Sequence, residues 1–350
     1  LGNVQPERHL MFIDKSMAPE VSIIIVNWNG RNYLEACLSS IADQREVNVE
    51  TIVVDNGSTD QTVDFVEEKF PWVRLVCLDS NRGFAGGNNA GACEARGRYL
   101  VFLNNDTAVE SGWLRALQDG LDEPHGFVMS TSRIVYMHDS SKIDSAGDGM
   151  TRAGGAFKRL HGYPAADALE SCEVFGACGG ACLIVKSVFD ELGGFDEDFF
   201  LSHEDVDLSY RARLLGYRCR YVANAVVRHH SSATLGRRSR LAIFHSQRNL
   251  EWVYFKNTPL FLLFWTLPSH FIYNLVAAVH FARLGFFGTF VSAKVNALFG
   301  FRQIIRKRFA VQRSRKLPVR TLWRFLEPRW LSLKLREEYF EQSLGRDSLQ

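Results

Sequence analysis

Residues 21–30 carry the sequence VSIIIVNWNG, an apolar run that ends in a polar turn. An apolar run of this length, bounded by turn residues, predicts a buried β-strand over residues 21–26. Three further apolar runs of the same kind follow, each after a segment with helical patterning: ETIVVD (50–55), VRLVCL (73–78) and RYLVFLN (98–104). Strands that alternate with helices indicate right-handed βαβ units, so residues 21–110 are predicted to form an α/β, Rossmann-type half with a largely parallel sheet.

Three local features accompany this pattern. Ser58 and Gln61 have the spacing of a capping box, which predicts the start of the helix TDQTVDFVEEKF. The glycine-rich segment after the third strand is expected to be a loop that leads into a helix over about residues 86–96. Residues 111–240 are more irregular, and residues 144–165 within them are rich in glycine, which is typical of a mobile loop.

Composition limits the class of protein. The chain has 350 residues, of which 46% are hydrophobic and 23% charged, so a wholly disordered or collagen-like chain is excluded. This length suggests roughly two domains, or one domain with an appendage. The seven cysteines form no CxxC pair, which argues against a zinc ribbon or a disulfide scaffold and favours a reducing compartment. Residues 1–20 lack a basic-then-apolar pattern, and no secretion signal is therefore expected.

Charge and apolarity are unevenly distributed. The formal net charge is +2, but residues 257–350 carry 15 basic and 5 acidic side chains. Residues 257–282 hold no charged side chain, although Pro268 and several polar residues interrupt the apolar run, and nine Lys or Arg follow within residues 302–324. Apolar helices beside a basic cluster favour association with an anionic membrane surface, either interfacial or re-entrant. A true span and a soluble helix at a packing or oligomer interface are the alternatives, whereas no motif supports nucleic-acid binding.

Polar side chains follow each of the four predicted strands. They are Asn27, Trp28 and Asn29 after the first, Asp55, Asn56 and Ser58 after the second, Asp79, Ser80, Asn81 and Arg82 after the third, and Asn104, Asn105, Asp106 and Thr107 after the fourth. Ligands of open α/β sheets bind at the carboxyl ends of the strands, so these clusters predict a binding site along one edge. No GxGxxG opens the first helix and no Walker A lysine is present, which disfavours a nicotinamide-dependent dehydrogenase.

Three side chains suggest nucleotide and metal chemistry. Asp55 is placed to bind a ribose hydroxyl, although a turn or capping role is the plain alternative. Asp106 ends an apolar strand, where its oxygens can hold a hard divalent cation near a bound diphosphate. His229 ends the last strand of the region and can bind the same cation or the diphosphate, with a loop histidine as the alternative.

A deprotonating base has to be a carboxylate or an imidazole close to the hydroxyl that it activates. Glu204 and Asp205, at the start of the helix HEDVDLSYRARLLGY, are the best candidates outside the first half, and Asp205 is preferred. Carboxylates also favour the start of a helix for electrostatic reasons alone. Arg248 belongs to a group of arginines that are suited to phosphate oxygens.

Seven motifs occur in order over about residues 20–255: VSIIIVNWNG, VVDNGSTD, NRGFAGGNNAG, FLNNDT, GACLIVKSVFDELGGFDEDFF, HEDVDLSYR and VVRHHSSAT. Together they resemble the family 2 glycosyltransferases, and within that family the bacterial rhamnosyltransferase-like enzymes of surface-polysaccharide assembly. The resemblance implies a GT-A fold and an inverting, single-displacement transfer from a nucleotide sugar. It also implies a dTDP-, UDP- or GDP-linked donor, a lipid-linked or cell-envelope saccharide as acceptor, and a divalent cation, Mg²⁺ or Mn²⁺.

The resemblance assigns roles to individual residues. Asp205 matches the base, Asp106 the retained acid of the metal-binding DxD-type motif, and His229 the metal- or phosphate-binding histidine. The residues expected at the nucleotide sugar are Asn27, Asn29, Asp55, Asn81, Arg82, Gly83, Asn88, Asn104, Asn105 and Arg248. Asn104 departs from the DxD pattern and leaves the metal identity open. HSQRN (245–249) stands where processive synthases have QxxRW, so one sugar per acceptor is expected rather than a polymer.

The predicted organisation has three parts: an N-terminal extension (1–20), a GT-A catalytic domain (21–256) with a donor half (21–110) and an acceptor half (111–256), and a membrane-associating helical region (257–350). The expected location is the cytoplasmic face of the cell membrane, with peripheral or re-entrant association. Two functional alternatives stay open. One is a non-catalytic nucleotide-sugar-binding or scaffold protein on the same fold, and the other is a glycosyltransferase with a different hexosyl donor. A homo-oligomer is compatible with either.

Overall fold

The computed structural model describes residues 18–44, 47–231, 239–336 and 340. The strands are β1 Val21–Asn27, β2 Val49–Asp55, β3 Arg74–Cys77, β4 Tyr99–Leu103, β5 Thr107–Val109, β6 Phe127–Tyr136, β7 Ile143–Ser145, β8 Asp148–Met150, β9 Ala156–Lys158, β10 Cys172–Val174, β11 Ala181–Val185 and β12 Arg218–His229. The α-helices are α1 Arg31–Ala42, α2 Thr62–Lys69, α3 Gly83–Glu94, α4 Trp113–Asp119, α5 Lys186–Glu191, α6 Glu204–Leu214, α7 Arg240–Asn257, α8 Leu260–Arg283, α9 Phe287–Phe299, α10 Phe301–Ser314 and α11 Val319–Phe325. Most of the N-terminal extension predicted over residues 1–20 lies outside the described residues.

One mixed sheet carries the fold, with the strand order β10-β12-β6-β11-β4-β1-β2-β3. Strands β3, β2, β1 and β4 are parallel, which confirms the predicted α/β half. β11 is antiparallel to both of its neighbours, β4 and β6, so the second half is mixed. Apolar side chains on the two faces of the sheet form two separate core clusters beneath the flanking helices. The carboxyl ends of β1, β2 and β4 consequently meet along one edge.

The glycine-rich segment after β3 is a helix from Gly83 onward, so the expected loop is shorter than predicted and occupies residues 78–82. Glycine is a poor helix former, so local propensity does not explain this. A Cβ on Gly91 would lie 2.5 Å from Ile24 Cγ2, and one on Gly87 would lie 2.7 Å from Val26 Cγ1. The glycines thus allow α3 to lie directly on β1, and this packing outweighs propensity.

The predicted capping box at Ser58 and Gln61 does not form. Gln61 is the N-cap of α2 in a left-handed conformation (φ 63°), and no side chain caps this helix. Ser58 Oγ instead accepts a hydrogen bond of 3.0 Å from the backbone N–H of Asn29. The hydroxyl therefore joins the turns after β1 and β2 rather than starting a helix.

Residues 144–165 are not a mobile loop. Three short strands lie within or beside them, because β7 pairs with β6 and β8 pairs with β9. Residues 143–151 are all buried. The glycines of this segment serve close packing, and its two aspartates, Asp144 and Asp148, are brought into the interior.

Helices α7 to α11 pack against the rest of the chain. Their side chains share one apolar cluster with Met150, Phe175 and Phe199 of the preceding region. Lys256 is buried at the end of α7, with Nζ 2.6 Å from Asp196 and 2.8 Å from Asp207. The boundary predicted after residue 256 therefore falls within a packed region, and the helices beyond it contribute to a common core.

Candidate active site

The polar clusters after the parallel strands are joined by hydrogen bonds. Asn105 donates to Asn27 Oδ1 at 2.6 Å, and Asn27 donates to Thr62 Oγ1 at 3.0 Å. Asn29, at φ 51°, accepts from the Thr59 N–H at 2.8 Å. Asn27 and Asn29 are thereby held at the edge of the sheet, as the order of motifs predicts.

Asp55 lies at the end of β2 with 4% of its surface exposed. Its Oδ2 accepts from the Ser58 N–H at 3.1 Å, whereas Oδ1 is buried without a hydrogen-bond partner. A buried carboxylate oxygen without a partner is costly unless a ligand satisfies it. Among the polar residues at this edge of the sheet, Asp55 is consequently the one best suited to accept a hydrogen bond from a hydroxyl or N–H group of a ligand.

The turn after β3 is organised by Asn56, a member of the polar cluster predicted at the end of β2. Asn56 donates to Asn81 Oδ1 at 3.1 Å and to the Gly83 carbonyl at 3.0 Å, and it accepts from the Arg82 N–H at 2.8 Å. Gly83 adopts φ 71°, and a Cβ there would collide with Phe200. The turn thus brings the start of α3 against the loop that precedes α6.

Two other residues predicted to bind the nucleotide sugar, Arg82 and Asn88, differ in exposure. The Arg82 side chain is half exposed and lies 3.6 Å from Glu197. Asn88 is buried within α3 and donates to the Phe84 carbonyl at 2.9 Å. Arg82 is therefore available to a ligand, whereas the amide nitrogen of Asn88 is used within its own helix.

Asp106 and His229 face each other across the edge of the sheet. His229 Nε2 lies 3.1 Å from Asp106 Oδ1, and Nδ1 lies 2.7 Å from Asp144 Oδ2. Burial alone would lower the pKa of His229, but the hydrogen bonds to Asp106 and Asp144 outweigh it and raise the pKa to about 9. Although burial opposes it, Lys158 at 2.8 Å and His229 hold the pKa of Asp144 well below its ordinary value.

These side chains fit a divalent cation. Asp106 Oδ1 and His229 Nε2 converge, while Asp144 occupies the other ring nitrogen and fixes the orientation of the imidazole, as carboxylates do behind metal-binding histidines. The side-chain amide of Asn104 lies 3.4 Å from Nε2 and can present its oxygen by rotation of the amide. Oxygen and imidazole donors of this kind suit Mg²⁺ or Mn²⁺.

Asp205 lies half-buried at the start of α6. Its Oδ2 accepts from the Gly179 N–H at 2.8 Å, and its Oδ1 accepts from the Val206 N–H at 2.8 Å. The next residue, Gly180, accepts through its carbonyl from the Asn104 N–H at 2.9 Å. A two-glycine turn therefore separates the candidate base from the candidate cation site, and their mutual proximity suits a displacement reaction.

Glu204, the second candidate base, has a different environment. It is 5% exposed, and its Oε2 is buried without a partner. Burial, followed by the charge of Asp205, raises the pKa of Glu204 well above its ordinary value. Of the two carboxyl groups, Asp205 is the more exposed.

Residues 198–203 form a strained loop immediately before Glu204. Phe200, Ser202 and His203 adopt φ values of 62°, 69° and 68°, which are rare for residues with a side chain. Asn249 is fully buried and donates to three carbonyls of this loop, those of Phe199, Leu201 and Ser202, at 2.7–2.9 Å. Helix α7 therefore holds the loop in the conformation that presents Asp205.

Arg248, expected at the nucleotide sugar, also reaches this loop. Its Nη2 donates to the carbonyls of Asp198 and Phe199 at 2.9 and 3.1 Å, and its guanidinium lies 4.1 Å from the ring centre of Trp252. That nitrogen is not free for a diphosphate. A donor-binding role for Arg248 stays a prediction, and a role in fixing the loop is what its contacts display.

Asn249→Ala is expected to destabilise the protein by roughly 2–4 kcal/mol, because buried carbonyls lose their donor. It should also lower kcat, because the strained loop can relax and displace Asp205. The matched control is Gln312→Ala, which removes donors to the Lys256 and Asn257 carbonyls away from the loop. Thermal unfolding and initial rates of both variants would test this, and an equal kcat in the two would contradict a role for the loop.

Several residues of the site escape sequence reasoning. Asp144, Asp148 and Lys158 lie in short strands of a glycine-rich segment with no clear period. Asn249 lies in a helix whose next turns are apolar. The available signal is modest: two aspartates flank SAG within residues 144–148, and HSQRN is polar within an otherwise apolar stretch.

A family model described as Glycosyl transferase family 2 matches residues 22–193. The matched range contains the polar clusters after β1, β2, β3 and β4, together with Asp144 and the turn at Gly179 and Gly180. It ends shortly before Asp205 and the strained loop. The match thus covers the polar clusters at the edge of the sheet and the two-glycine turn between Asp106 and Asp205.

Two curated relatives and one solved structure extend the comparison. The chain is 29% identical over 255 residues to the N-acetylglucosaminyl-diphospho-decaprenol L-rhamnosyltransferase of Mycobacterium tuberculosis, covering 65% of this chain and 82% of that protein. It is 31% identical over 225 residues to the O-antigen biosynthesis protein RfbC of Myxococcus xanthus, covering 62% of this chain and 18% of that protein. The crystal structure of GalNAc-T7 with UDP, GalNAc and Mn²⁺ has a TM-score of 0.54 at 17% identity, over 69% of this chain and 48% of that one, which is a likeness of fold. Residues 22–193 therefore form a glycosyl transferase family 2 domain, and the chain has a GT-A fold.

Proposed function

We propose that this protein transfers one sugar, a rhamnosyl group by preference, from a nucleoside-diphosphate sugar to a hydroxyl of a lipid-linked or cell-envelope saccharide, with inversion at the anomeric carbon. The observation that carries the proposal is the placement of the Asp205 carboxylate one two-glycine turn away from the Asp106 and His229 pair. The M. tuberculosis relative, whose name specifies a lipid-linked acceptor and rhamnosyl transfer, supports the choice of substrates.

Each part of the site has a role in this reaction. Asp55 binds the base or ribose of the donor through its unpartnered oxygen, and the Asn56–Gly83 turn holds the donor at the start of α3. Asp205 accepts the proton of the acceptor hydroxyl while the oxygen bonds to the anomeric carbon. The bond from that carbon to the diphosphate breaks in the same step, and the nucleoside diphosphate departs with the electron pair, so no covalent enzyme intermediate is required.

Asp106 and His229, with Asn104 beside them, would hold the divalent cation. When bound there, Mg²⁺ or Mn²⁺ supplies positive charge that stabilises the departing diphosphate. Asp144 keeps the His229 ring oriented, and Lys158 balances the charge of Asp144. The chain's own contribution is thus a fixed pair of cation ligands, Asp106 and His229, at the edge of the sheet opposite the base.

A panel of dTDP-, UDP- and GDP-sugars, titrated calorimetrically with and without Mg²⁺ or Mn²⁺, tests this function. We expect one nucleotide to bind with metal dependence, and its sugar to appear on a lipid-linked saccharide with inverted anomeric configuration by NMR. Binding without transfer to any acceptor would support the non-catalytic scaffold alternative. Transfer of another sugar would establish the same reaction with a different hexosyl donor.

We also propose that helices α8 and α9 lie in the interface of an anionic membrane at its cytoplasmic face. In the described part of the chain, one helix, α8, is long and apolar enough to cross a membrane, and 28% of its most apolar window is buried. Large apolar side chains along both helices face outward: Phe261, Phe264, Trp265, Phe271, Ile272, Leu275, Phe287, Leu298 and Phe299. Because α8 packs on α7 and α9 through its other face, interfacial insertion fits these contacts better than a span.

The basic cluster of residues 302–324 is divided between the interior and the surface. Lys307 lies 2.5 Å from both Asp196 and Asp198, and Arg308 donates to the carbonyls of Phe255 and Thr258. Six other basic residues are exposed and available to anionic lipid: Arg302, Arg306, Arg313, Lys316, Arg320 and Arg324. Each contributes about 1 kcal/mol when close to such a surface.

The combined change Phe264→Ser, Trp265→Ser and Phe271→Ser is expected to lower binding to phosphatidylglycerol vesicles by at least about tenfold, because the inserted apolar area is lost. These side chains are 70–72% exposed, so folding should be unaffected. The control replaces Trp72 and Leu169, exposed apolar residues of the catalytic region, with serine. Vesicle co-sedimentation measures both, and equal binding of the two variants would contradict the assigned face.

A further inference from the structure

A second buried carboxyl group lies behind the candidate base. Asp148, on β8, is 5% exposed, and one oxygen each of Asp148 and Asp205 and the Cys178 Sγ lie within 4.8 Å of one another. The backbone of Asp148 exchanges hydrogen bonds of 3.0 and 3.1 Å with Gly176. Its position is therefore set by strand contacts and does not depend on a mobile loop.

The two carboxyl groups face each other within this cluster, so a proton on one of them would remove their charge repulsion and allow a hydrogen bond between them. Asp205 accepts from two backbone N–H groups and lies at the start of α6, where the helix dipole favours a negative charge. Asp148 has no such support. Burial, followed by the charge of Asp205, raises the pKa of Asp148 well above its ordinary value. The shared proton is therefore assigned to Asp148, and Asp205 keeps its two backbone donors.

The charged groups around Asp148 are consistent with this assignment. Lys158 faces it from β9 and Asp144 from β7, but Lys158 Nζ already lies 2.8 Å from Asp144 and is engaged there. Cys178 faces the pair from the turn before β11, and burial raises the pKa of its thiol well above the ordinary value. From α6 and the residue before it, Glu204 and His203 lie near Asp205.

A cation site formed by Asp148, Cys178 and Asp205 is the competing explanation. A neutral thiol is a poor metal ligand, and two carboxyl groups that share a proton offer little charge to a cation. Asp205 also directs both oxygens to backbone N–H groups. The cluster is therefore better suited to orienting one carboxylate than to holding an ion.

We propose that Asp148 is a positioning residue for sugar transfer: its protonated carboxyl donates a hydrogen bond to Asp205 and holds that carboxylate toward the acceptor hydroxyl. This inference rests on the proposed function, in which Asp205 is the base. Asp148 keeps its proton throughout the reaction, because the proton of the acceptor hydroxyl goes to Asp205. The role is selective for a neutral donor, and a permanently charged group at this position would repel the base.

Asp148→Asn and Asp148→Leu separate this role from the alternatives, since asparagine keeps an N–H donor of the same shape and leucine has none. We expect Asp148→Asn to retain kcat within about threefold, and Asp148→Leu to lose about 10–100-fold in kcat, the range found when residues that orient metal ligands are removed. KM for the donor should be unchanged in both. The acid limb of the kcat/KM profile should move to higher pH in Asp148→Leu, because the Asp205 carboxylate has lost a donor.

Loss of activity in Asp148→Asn equal to that in Asp148→Leu would overturn the proposal, as would full activity in Asp148→Leu. If the leucine variant does not fold, Asp148→Ala takes its place. Infrared spectra supply a readout that does not depend on turnover: the wild type at neutral pH should contain a protonated-carboxyl C=O band that Asp148→Asn lacks, and its absence would overturn the proposal. Asp205→Asn is measured in parallel, because retained transfer in that variant would refute the proposed base rather than the role of Asp148.

Discussion

Asp205→Asn is expected to lower kcat by about 10³-fold while leaving the Kd of the nucleotide sugar unchanged. General-base catalysis contributes roughly 10²–10⁴-fold, and an amide cannot accept the proton of the acceptor hydroxyl. The amide retains an oxygen for the Gly179 N–H, so the turn beside Asn104 should keep its structure. Initial rates with saturating donor and calorimetric titration of the donor measure the two quantities.

The matched control for this experiment is Glu204→Gln. Glu204 is buried, and burial followed by the charge of Asp205 raises its pKa well above the ordinary value, so the uncharged glutamine should be a close substitute and the rate should change by no more than about threefold. A large loss in Glu204→Gln together with normal turnover of Asp205→Asn would transfer the role of base to Glu204. Loss of donor binding in Asp205→Asn would indicate a structural defect instead.

Asp106→Ala is expected to abolish the metal-dependent part of donor binding. Removal of residues that only orient a metal ligand costs about 10–100-fold, so loss of a direct ligand should cost at least about 100-fold in Mn²⁺ affinity. Asp144→Asn, which alters the partner of His229 Nδ1 and the ion pair with Lys158 but removes no candidate cation ligand, should lose about 10–100-fold. Binding of Mn²⁺ alone, followed by electron paramagnetic resonance, is the direct measurement.

Asp190→Ala is the control for the loss of one carboxylate, because Asp190 lies on the surface of α5 beside Lys186. The affinity of the Asp190→Ala variant for Mn²⁺ should equal that of the wild type. The donor should bind Asp106→Ala with the same weak affinity in the presence and absence of EDTA. If the wild type also binds the donor equally with and without EDTA, the metal role of Asp106 is wrong.

Local patterns predict the parallel half of the fold well and the second half less well. Strands β1 to β4 lie close to the predicted ranges, because each apolar run is bounded by turn residues, and β1, β2 and β4 are in addition largely buried. α3 begins three residues before the predicted range, because contacts between its glycines and β1 outweigh helix propensity. The three strands within residues 143–158 have too few residues to produce a period and depend on pairing with distant segments.

The candidate site divides in the same way. Asn27, Asp55, Asn104 and Asp106 were predictable because the carboxyl ends of parallel strands must meet at one edge of the sheet. Their order along the chain is therefore sufficient to place them together. The same holds for Asp205, whose position at a helix start follows from the HEDVD pattern and the family resemblance.

Other relations arise from contacts between residues far apart in the chain. Asp144 reaches His229 across 85 residues, and Asn249 holds carbonyls about 50 residues away. Local sequence patterns do not reveal such pairs, because the two partners come together only after the sheet and helices have assembled. The sequence thus specifies which polar groups line the edge of the sheet. The assembled fold specifies which of them contact each other, which carboxyl groups are buried, and which basic residue of α10 turns inward to Asp196 rather than outward.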